Sequence, residues 1–186
     1  LAGEFSVVPY PLRELQGRSL GIVGYGALGR AVARVAESFG MTVEIANRPG
    51  GEAAVGRRNL DEILPRLDVL SLHCPLTDAT RGLIDAARLA RMKPDAVLIN
   101  TARGALVDAK ALVEALRSGR LGGAGIDVLE PEPPPADHPL LDPAIPNLIV
   151  TPHIAWAARE SRQRCLDELA LNVASFLAGG RRNRVD

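Results

Sequence analysis

A glycine-rich stretch near the start of the chain, GIVGYGALG, constrains the fold more than any other feature. Gly24, Gly26 and Gly29 form a G-x-G-x-x-G pattern between an apolar run and an amphipathic segment. The first glycine allows a tight turn, the second lets the backbone approach a pyrophosphate, and the third lets a helix sit close to a strand. The helix start, with Ala27 and Leu28, offers amide donors to phosphates. A purely structural turn is the alternative, but this context favours a dinucleotide site.

Short apolar runs rich in Val, Ile and Leu alternate with amphipathic segments along the chain. This alternation is typical of a parallel sheet covered by helices. The predicted strands are 19–23, 42–46, 68–72, 96–100, 123–128 and 148–151. The predicted helices are 27–39, 60–65, 85–92, 108–118 and 157–178. The sequence therefore predicts an α/β fold of Rossmann type, a doubly wound parallel sheet with helices on both faces and right-handed crossovers.

The length predicts one dinucleotide-binding domain over 1–186, with a lead-in segment over 1–17. Residues 131–146 hold seven of the fourteen prolines, which predicts a stiff surface loop without regular structure. His138 inside this loop is interpreted as structural. The final helix and tail, 155–186, exceed what a crossover needs, so we expect the helix to pack on something outside this domain. Its apolar stripe comprises Cys165, Leu166, Leu169, Val173 and Phe176.

Charge and cysteine content narrow the classes of partner. Lys plus Arg and Asp plus Glu balance at 22 each, which argues against nucleic acid and anionic membranes. The chain has no apolar run long enough to span a membrane and no secretory signal pattern at its start. Cys74 and Cys165 are too few for a disulfide framework or a zinc ribbon. We therefore expect a cytoplasmic protein with free thiols, no metal site and small-molecule ligands.

The residue after the second predicted strand bears on which dinucleotide binds. NAD sites carry an Asp or Glu there, which bonds the adenosine ribose and would repel the extra phosphate of NADP. This chain has Asn47 followed by Arg48, a neutral amide and a planar fork of donors suited to a phosphate. Arg57 and Arg58 lie close in sequence and can reach the same region. The pattern favours NADP(H); NAD(H) is the alternative, with Asn47 bonding the ribose.

Three ionisable residues follow predicted strands at the edge where open α/β sheets bind ligands. Arg103 follows the fourth strand, Glu132 lies beyond the fifth, and His153 follows the sixth. Arg103 can hold a substrate carboxylate with two parallel bonds and polarise a neighbouring carbonyl. His153 can give a proton to the carbonyl oxygen, and Glu132 can fix its tautomer and stabilise the imidazolium. The set suits the reduction of an oxo acid.

Each of these residues also has a structural interpretation. Arg103 can bind cofactor phosphate, Glu132 can be a solvated loop residue, and His153 can be a helix cap or a buried neutral imidazole. His73 follows the third strand, where it is better placed to line the cofactor channel than to transfer a proton. Cys74 beside it has no sequence neighbour that would activate its thiol, so we interpret it as a packing residue.

Five motifs, in order, resemble the nucleotide-binding portion of the D-2-hydroxyacid dehydrogenase family: GIVGYGALGRAVA, LHCPLT, LINTARGALVD, GGAGIDVLEPEPP and LIVTPHIAW. PHIAWAARESRQR and the closing NRVD are similar to its glycerate dehydrogenase or hydroxypyruvate reductase branch. The resemblance implies that Arg103, Glu132 and His153 are catalytic. It also implies a cofactor flanked by Cys74, Pro75, Asn100, Thr101, Ala102, Asp127 and His153.

The resemblance implies hydride transfer between a nicotinamide cofactor and a small D-2-hydroxy or 2-oxo acid, of the glycerate–hydroxypyruvate or glyoxylate type, in a homodimer. Asn47 departs from the acid usual in the family. Family members also have further residues before this chain's start, which build a substrate domain. We therefore expect a fragment or an isolated domain, whose final helix packs on that substrate domain. The alternative function is non-catalytic nicotinamide sensing, because transcriptional corepressors have a similar architecture.

Overall fold

The computed structural model describes residues 12–47, 49–51 and 54–184. The chain divides into two units, Leu1–Val150 and Thr151–Asp186. The first unit contains a sheet and its covering helices, and the second contains one long helix.

In the described part of the chain, six parallel strands form a single sheet in the order β2-β1-β3-β4-β5-β6. Each lies within its predicted range, so the predicted Rossmann-type sheet is confirmed. The strand order reverses between β1 and β3, and this switch point is where such sheets bind ligands. The strands are β1 (Ser19–Val23), β2 (Thr42–Ile45), β3 (Val69–Leu72), β4 (Val97–Asn100), β5 (Gly123–Ile126) and β6 (Leu148–Val150).

The helices also begin and end within their predicted ranges. They are α1 (Ala27–Ser38), α2 (Leu60–Ile63), α3 (Ala86–Leu89), α4 (Ala109–Arg117) and α5 (Arg159–Leu177). Side-chain oxygens of Asn59, Asp85 and Asp108 accept backbone N–H bonds at the starts of α2, α3 and α4. Pro65, which has no N–H, lies in a 3₁₀ turn that directly follows α2.

Helices cover both faces of the sheet, as predicted. The connection from β1 to β2 runs in one direction across the sheet and the later connections run in the other. Right-handed crossovers therefore place α1 on one face and α2, α3 and α4 on the other. Two hydrophobic clusters correspond to these faces. The smaller contains Leu20, Ile22, Ala33 and Ala36, and the larger contains residues such as Leu70, Leu98 and Leu112.

The proline-rich loop between β5 and β6 differs from its prediction in two respects. It contains a short 3₁₀ turn, Pro139–Leu141, that begins after His138. It is also anchored in the core, because Leu140 and Ile145 are buried. Pro139 suits the turn because the first position of a helical turn needs no N–H donor. The loop is thus partly regular and only partly a surface feature.

In the second unit, α5 exposes its apolar stripe: Leu166, Leu169, Val173 and Phe176 are all more than a third accessible. The tail folds back on the helix through bonds from Arg182 and Asn183 to Glu168. Among the described residues, no helix combines the length and the apolar character needed to cross a bilayer.

Candidate functional site

The glycine turn after β1 has the geometry that its sequence pattern predicts. Gly24 has φ +96, and a Cβ there would lie 2.5 Å from the backbone of both His73 and Cys74. A Cβ on Gly29 would lie 2.2 Å from the carbonyl oxygen of Gly24, so only glycine lets α1 start this close to the strand. A Cβ on Gly26 would meet nothing within 4 Å. Gly26 therefore leaves an open approach to the backbone.

The start of α1 is an open set of donors. Gly26 is the N-cap and has no side chain to bond the first amides, and the first turn carries no acidic residue. Gly26, Ala27 and Leu28 are exposed. The N–H groups in the first turn of a helix have no partner within the helix and carry a partial positive charge. This end of α1 therefore has the chemistry of a phosphate site at the switch point of the sheet.

Asn47 closes the base of the loop that follows β2. Its backbone N–H donates to the carbonyl of Arg58 at 2.7 Å, and its side-chain Oδ1 accepts from Ala54 N at 3.3 Å. Because a backbone N–H can only donate, the bond to Ala54 assigns the amide oxygen, and the NH₂ group lies on the other side. Arg58 has its Nε 3.6 Å from Glu44, and Arg48 lies outside the described residues.

His73 and Cys74, at the end of β3, lie beside the glycine turn. His73 Nε2 is 2.9 Å from Ser71 Oγ, and burial lowers the pKa of the His73 imidazole. Burial raises the pKa of the Cys74 thiol, so this sulfur is a neutral packing group and a poor nucleophile. Pro75 follows, and its carbonyl accepts a 2.8 Å bond from the Thr80 hydroxyl. His73 and Cys74 therefore line the space beside the glycine turn.

Asn100 organises the loop after β4. Its side chain is fully buried. Its Oδ1 accepts from Ala102 N at 3.1 Å, and its Nδ2 donates to the Arg103 carbonyl at 2.9 Å. Its own carbonyl accepts from the N–H of Asp127, whose side chain is buried at the end of β5. Thr101 and the Arg103 side chain remain exposed on the outer side of this loop.

Gly104 is the point where the loop after β4, called the Arg103 loop, packs on the loop that carries Glu132, called the Glu132 loop. A Cβ on Gly104 would lie 2.2 Å from the carbonyl carbon of Leu129 and 2.7 Å from the N of Glu130. Glu132 Oε1 in turn accepts from Leu129 N at 2.9 Å. The backbone beside Arg103 therefore packs directly on the segment that holds the Glu132 carboxylate.

His153 belongs to the second unit, Thr151–Asp186. It follows β6 closely in sequence, as predicted, and has a positive φ of +52. Its N–H donates to the Thr151 carbonyl at 3.0 Å.

His138 adds little to this site. His138 is buried, and its Nδ1 accepts from Leu140 N at 3.2 Å. Within 12–47, 49–51 and 54–184, no three His, Cys, Asp or Glu side chains are grouped in a way that could hold a metal ion.

The structure thus brings two pairs of predicted segments together: the glycine turn with His73 and Cys74, and the Arg103 loop with the Glu132 loop. Sequence reasoning missed Ser71 and Gly104, which contact the predicted site segments. Ser71 precedes His73 by two positions and so shares its face of the strand, a spacing that could have indicated the pair. Gly104 could have been suspected as a close-contact glycine, because it directly follows a candidate site residue.

A parallel sheet with a glycine turn at its switch point defines a dinucleotide-binding domain. Residues 2–155 match the sequence profile of the D-isomer specific 2-hydroxyacid dehydrogenase, NAD binding domain. The chain belongs to this family.

Named relatives agree with this assignment. A glycerate dehydrogenase of Methylorubrum extorquens is 46% identical over 183 residues, which cover 98% of this chain and 57% of the relative. A hydroxypyruvate reductase of Blautia hydrogenotrophica is 41% identical over 182 residues, covering 95% of this chain and 56% of the relative. An acyclic imino acid reductase, Bsp5, solved with NADPH and D-Arg, superimposes with a TM-score of 0.85 at 33% identity and covers 100% of this chain and 59% of that one. The chain thus spans just over half the length of these relatives.

Proposed function

We propose that the protein catalyses reversible hydride transfer between a nicotinamide cofactor and a small D-2-hydroxy acid or its 2-oxo acid, of the glycerate–hydroxypyruvate or glyoxylate type. The observation that carries this proposal is the junction at Gly104, which sets the Arg103 loop against the Glu132 loop at the carboxyl edge of the sheet. Family membership supports the reaction class. The sensing alternative gains no support from the relatives, which are named as a dehydrogenase and reductases.

The glycine turn and its surroundings fit a dinucleotide. The open side of Gly26 and the uncapped start of α1 suit the pyrophosphate. A bound nicotinamide cofactor supplies or accepts the hydride. The residues proposed to surround it are Gly24, Gly26, Ala27, Leu28, Gly29, Asn47, Arg48, His73, Cys74, Pro75, Asn100, Thr101, Ala102, Asp127 and His153.

Each of the three proposed catalytic residues has a different role in the reaction. The Arg103 guanidinium binds the substrate carboxylate with two parallel bonds and polarises the C2 carbonyl. His153 donates a proton to the carbonyl oxygen during reduction and takes it back from the hydroxyl during oxidation. Glu132 orients the His153 ring and stabilises its protonated form. The Leu129 N–H supports this role, because it holds one Glu132 oxygen in a fixed place.

The reaction is tested with the full-length gene product. A panel of 2-oxo acids is offered with NADH and NADPH, and cofactor oxidation is followed by absorbance. We expect turnover with hydroxypyruvate or glyoxylate and its loss in the Arg103→Ala variant. Tight cofactor binding without turnover of any acid would instead support the sensing function.

We further propose that NADP(H) is the preferred cofactor and that NAD(H) also binds. The support is Asn47, which brings no negative charge to the end of β2. Its Oδ1 is engaged by Ala54 N, so the amide NH₂ is the group left to face a ligand. A donor there suits the oxygens of a ribose phosphate.

This preference predicts that NADPH binds more tightly than NADH by about tenfold, the effect of one charge-assisted contact. Asn47→Asp should erase or invert the preference, because the carboxylate repels the phosphate and bonds the ribose. Fluorescence titration of both cofactors measures it. Asn59→Asp, which places the same change at the start of α2, is the matched control. Tighter binding of NADH by the unaltered protein would refute the preference.

The assembly and location are also proposals. We propose a cytoplasmic homodimer that acts on small acids, with the exposed stripe of α5 packed on a substrate domain. The exposed apolar residues of α5 support the packing. An apolar groove of about 450 Å³ between α1 and the sheet, lined by Leu15, Val35, Phe39 and Ile99 among others, supports the dimer. The two free cysteines suit a reducing compartment.

A further inference from the structure

The structure assigns a role to Asn100 that the proposed reaction does not by itself require. We propose that Asn100 is a positioning residue, whose buried amide fixes the direction of the Arg103 side chain and so determines how well the substrate carboxylate is bound. The inference rests on the proposed function, in which Arg103 is the substrate clamp.

Both polar groups of the Asn100 amide are hydrogen-bonded within the chain. The side chain has no exposed surface. Its oxygen takes the Ala102 N–H and its nitrogen gives a hydrogen bond to the Arg103 carbonyl. The donor at Ala102 and the acceptor at Arg103 together assign the orientation of the amide without ambiguity. A cofactor or substrate beside this loop therefore meets the backbone of Asn100 and its neighbours, and the amide acts through the residues it holds.

The two bonds of the Asn100 amide fix the backbone on the N-terminal side of Arg103 and at the Arg103 carbonyl. The Arg103 backbone is extended, with φ −147 and ψ 139. The next residue, Gly104, rests on the backbone of Leu129 and Glu130, where no Cβ would fit. Because the loop is held on one side by the amide and on the other by this contact, the Cα–Cβ direction of Arg103 has little freedom. A bidentate guanidinium contact depends on such placement, since a misplacement of about 1 Å can cost a hundredfold in rate.

Asparagine supplies both bonds at this length, whereas an ionised aspartate supplies only one. The ionised carboxylate retains the acceptor for Ala102 N but turns its second oxygen toward the Arg103 carbonyl, where a donor is needed. Asn100→Asp therefore keeps the shape of the side chain and removes one of the two bonds. Asn100→Ala removes both and leaves the two backbone groups without this partner.

The experiment is a double-mutant cycle in the full-length gene product, combining Asn100→Asp with Arg103→Ala. Asn100→Asp alone should lower kcat/KM for the oxo acid by about ten- to a hundredfold, through both KM and kcat, with the cofactor Kd changed less than about twofold. In the Arg103→Ala background the same change should matter less than about twofold, because the residue it positions is gone. Asn100→Ala should follow the same pattern where it folds.

Asn59→Asp is the control, because the Asn59 amide also accepts from the N–H two residues on but lies at the start of α2. It should leave kcat/KM unchanged. The positioning role is wrong if the two single-variant losses in kcat/KM multiply in the double variant. It is also wrong if Asn100→Asp raises the cofactor Kd more than about tenfold. Either result would leave the proposed function intact. Unchanged kcat/KM in Arg103→Ala would overturn both.

Discussion

His153 has a backbone conformation that residues other than glycine rarely adopt, with φ +52. Left-handed backbone at such a residue costs on the order of 1 to 3 kcal/mol and tends to persist where a side chain is needed in one particular place. A histidine held this way suits the proposed proton donor. Asparagine tolerates the same backbone better than most residues, which provides a way to separate the backbone from the imidazole.

The residue-scale prediction for His153 uses this difference. In the full-length gene product, both His153→Ala and His153→Asn should lower kcat by on the order of a hundred- to ten-thousandfold, because each removes the proton donor. The cofactor Kd should stay nearly unchanged, since the proton is needed only during the reaction. Steady-state kinetics and fluorescence titration measure the two quantities. Normal kcat in His153→Asn would show that only the backbone matters and would direct attention to His73.

A second residue-scale prediction concerns Gly104. Gly104→Ala adds one methyl group where Leu129 and Glu130 leave no room, so the Arg103 and Glu132 loops must move apart. We expect kcat/KM to fall by about ten- to a hundredfold, with cofactor binding retained. Gly125→Ala is the control, because a Cβ there would meet nothing within 4 Å. Equal kcat/KM in the two variants would show that the contact between Gly104 and the Glu132 loop does not matter for the reaction.

Sequence reasoning predicted a site at Arg103 and Glu132 because strand ends can be read from local apolar runs. It did not reach the contact between Gly104 and Leu129, because that contact depends on how two loops approach each other after folding. Nor could spacing indicate that the Asn100 amide would be bonded to its own loop, since a polar residue at a strand end can equally face a ligand. Local pattern predicted the site residues, while tertiary packing determined which of their atoms remain available.

At the scale of elements, the edge of the sheet opposite the site is held by Asp68, just before β3. Its carboxylate accepts from Ser19 N at 2.7 Å, from the Ser19 hydroxyl at 2.9 Å and from Lys93 Nζ at 2.9 Å. Burial alone would raise the pKa of Asp68, but these bonds outweigh it and hold the pKa far below its usual value. The ionised carboxylate therefore ties β1, β3 and the segment before β4 together.

This network predicts an acid-sensitive stability. Because the folded-state pKa of Asp68 is lowered, its contribution is fully present above the unfolded value of about 3.9 and is lost as the pH falls below it. Asp68→Asn should lower the free energy of unfolding by about 2 kcal/mol at pH 7 and flatten its decline in acid. Urea unfolding across pH 7 to pH 3 measures both effects. Asp78→Asn, on an exposed turn, should change neither quantity. If the free energy of unfolding of Asp68→Asn falls in acid as steeply as that of the unaltered protein, the role given to the Asp68 carboxylate is wrong.

Elements were the most predictable scale, since the six strands and five α-helices of the described residues lie within the ranges read from the sequence. The exception is the proline-rich loop, where the sequence predicts no regular structure and the chain forms a 3₁₀ turn over Pro139–Leu141. Proline density correctly argued against strands and long helices. It could not show that Leu140 would be buried, because that burial depends on how the 3₁₀ turn packs on α4 after folding.

At the scale of the whole molecule, apolar surface on the α1 face leads to a prediction about assembly. Val35 and Phe39 are exposed along the groove beside α1. Phe39→Asp should convert the proposed dimer to monomer, because a buried aromatic anchor contributes about 2 to 4 kcal/mol to such an interface. Light scattering of the full-length gene product measures the mass. Arg34→Asp, on the exposed side of α1, should leave the dimer intact, and a dimer that survives Phe39→Asp would place the interface elsewhere.

The two cysteines differ in a way that gives the molecule a built-in label site. Cys74 is buried beside the glycine turn and its raised pKa keeps the thiol protonated, whereas Cys165 is exposed on α5. A maleimide dye should therefore attach to one position without any engineering of the chain. Since Cys165 belongs to the exposed stripe of α5, the emission of that dye would report directly on whatever surface comes to cover the helix.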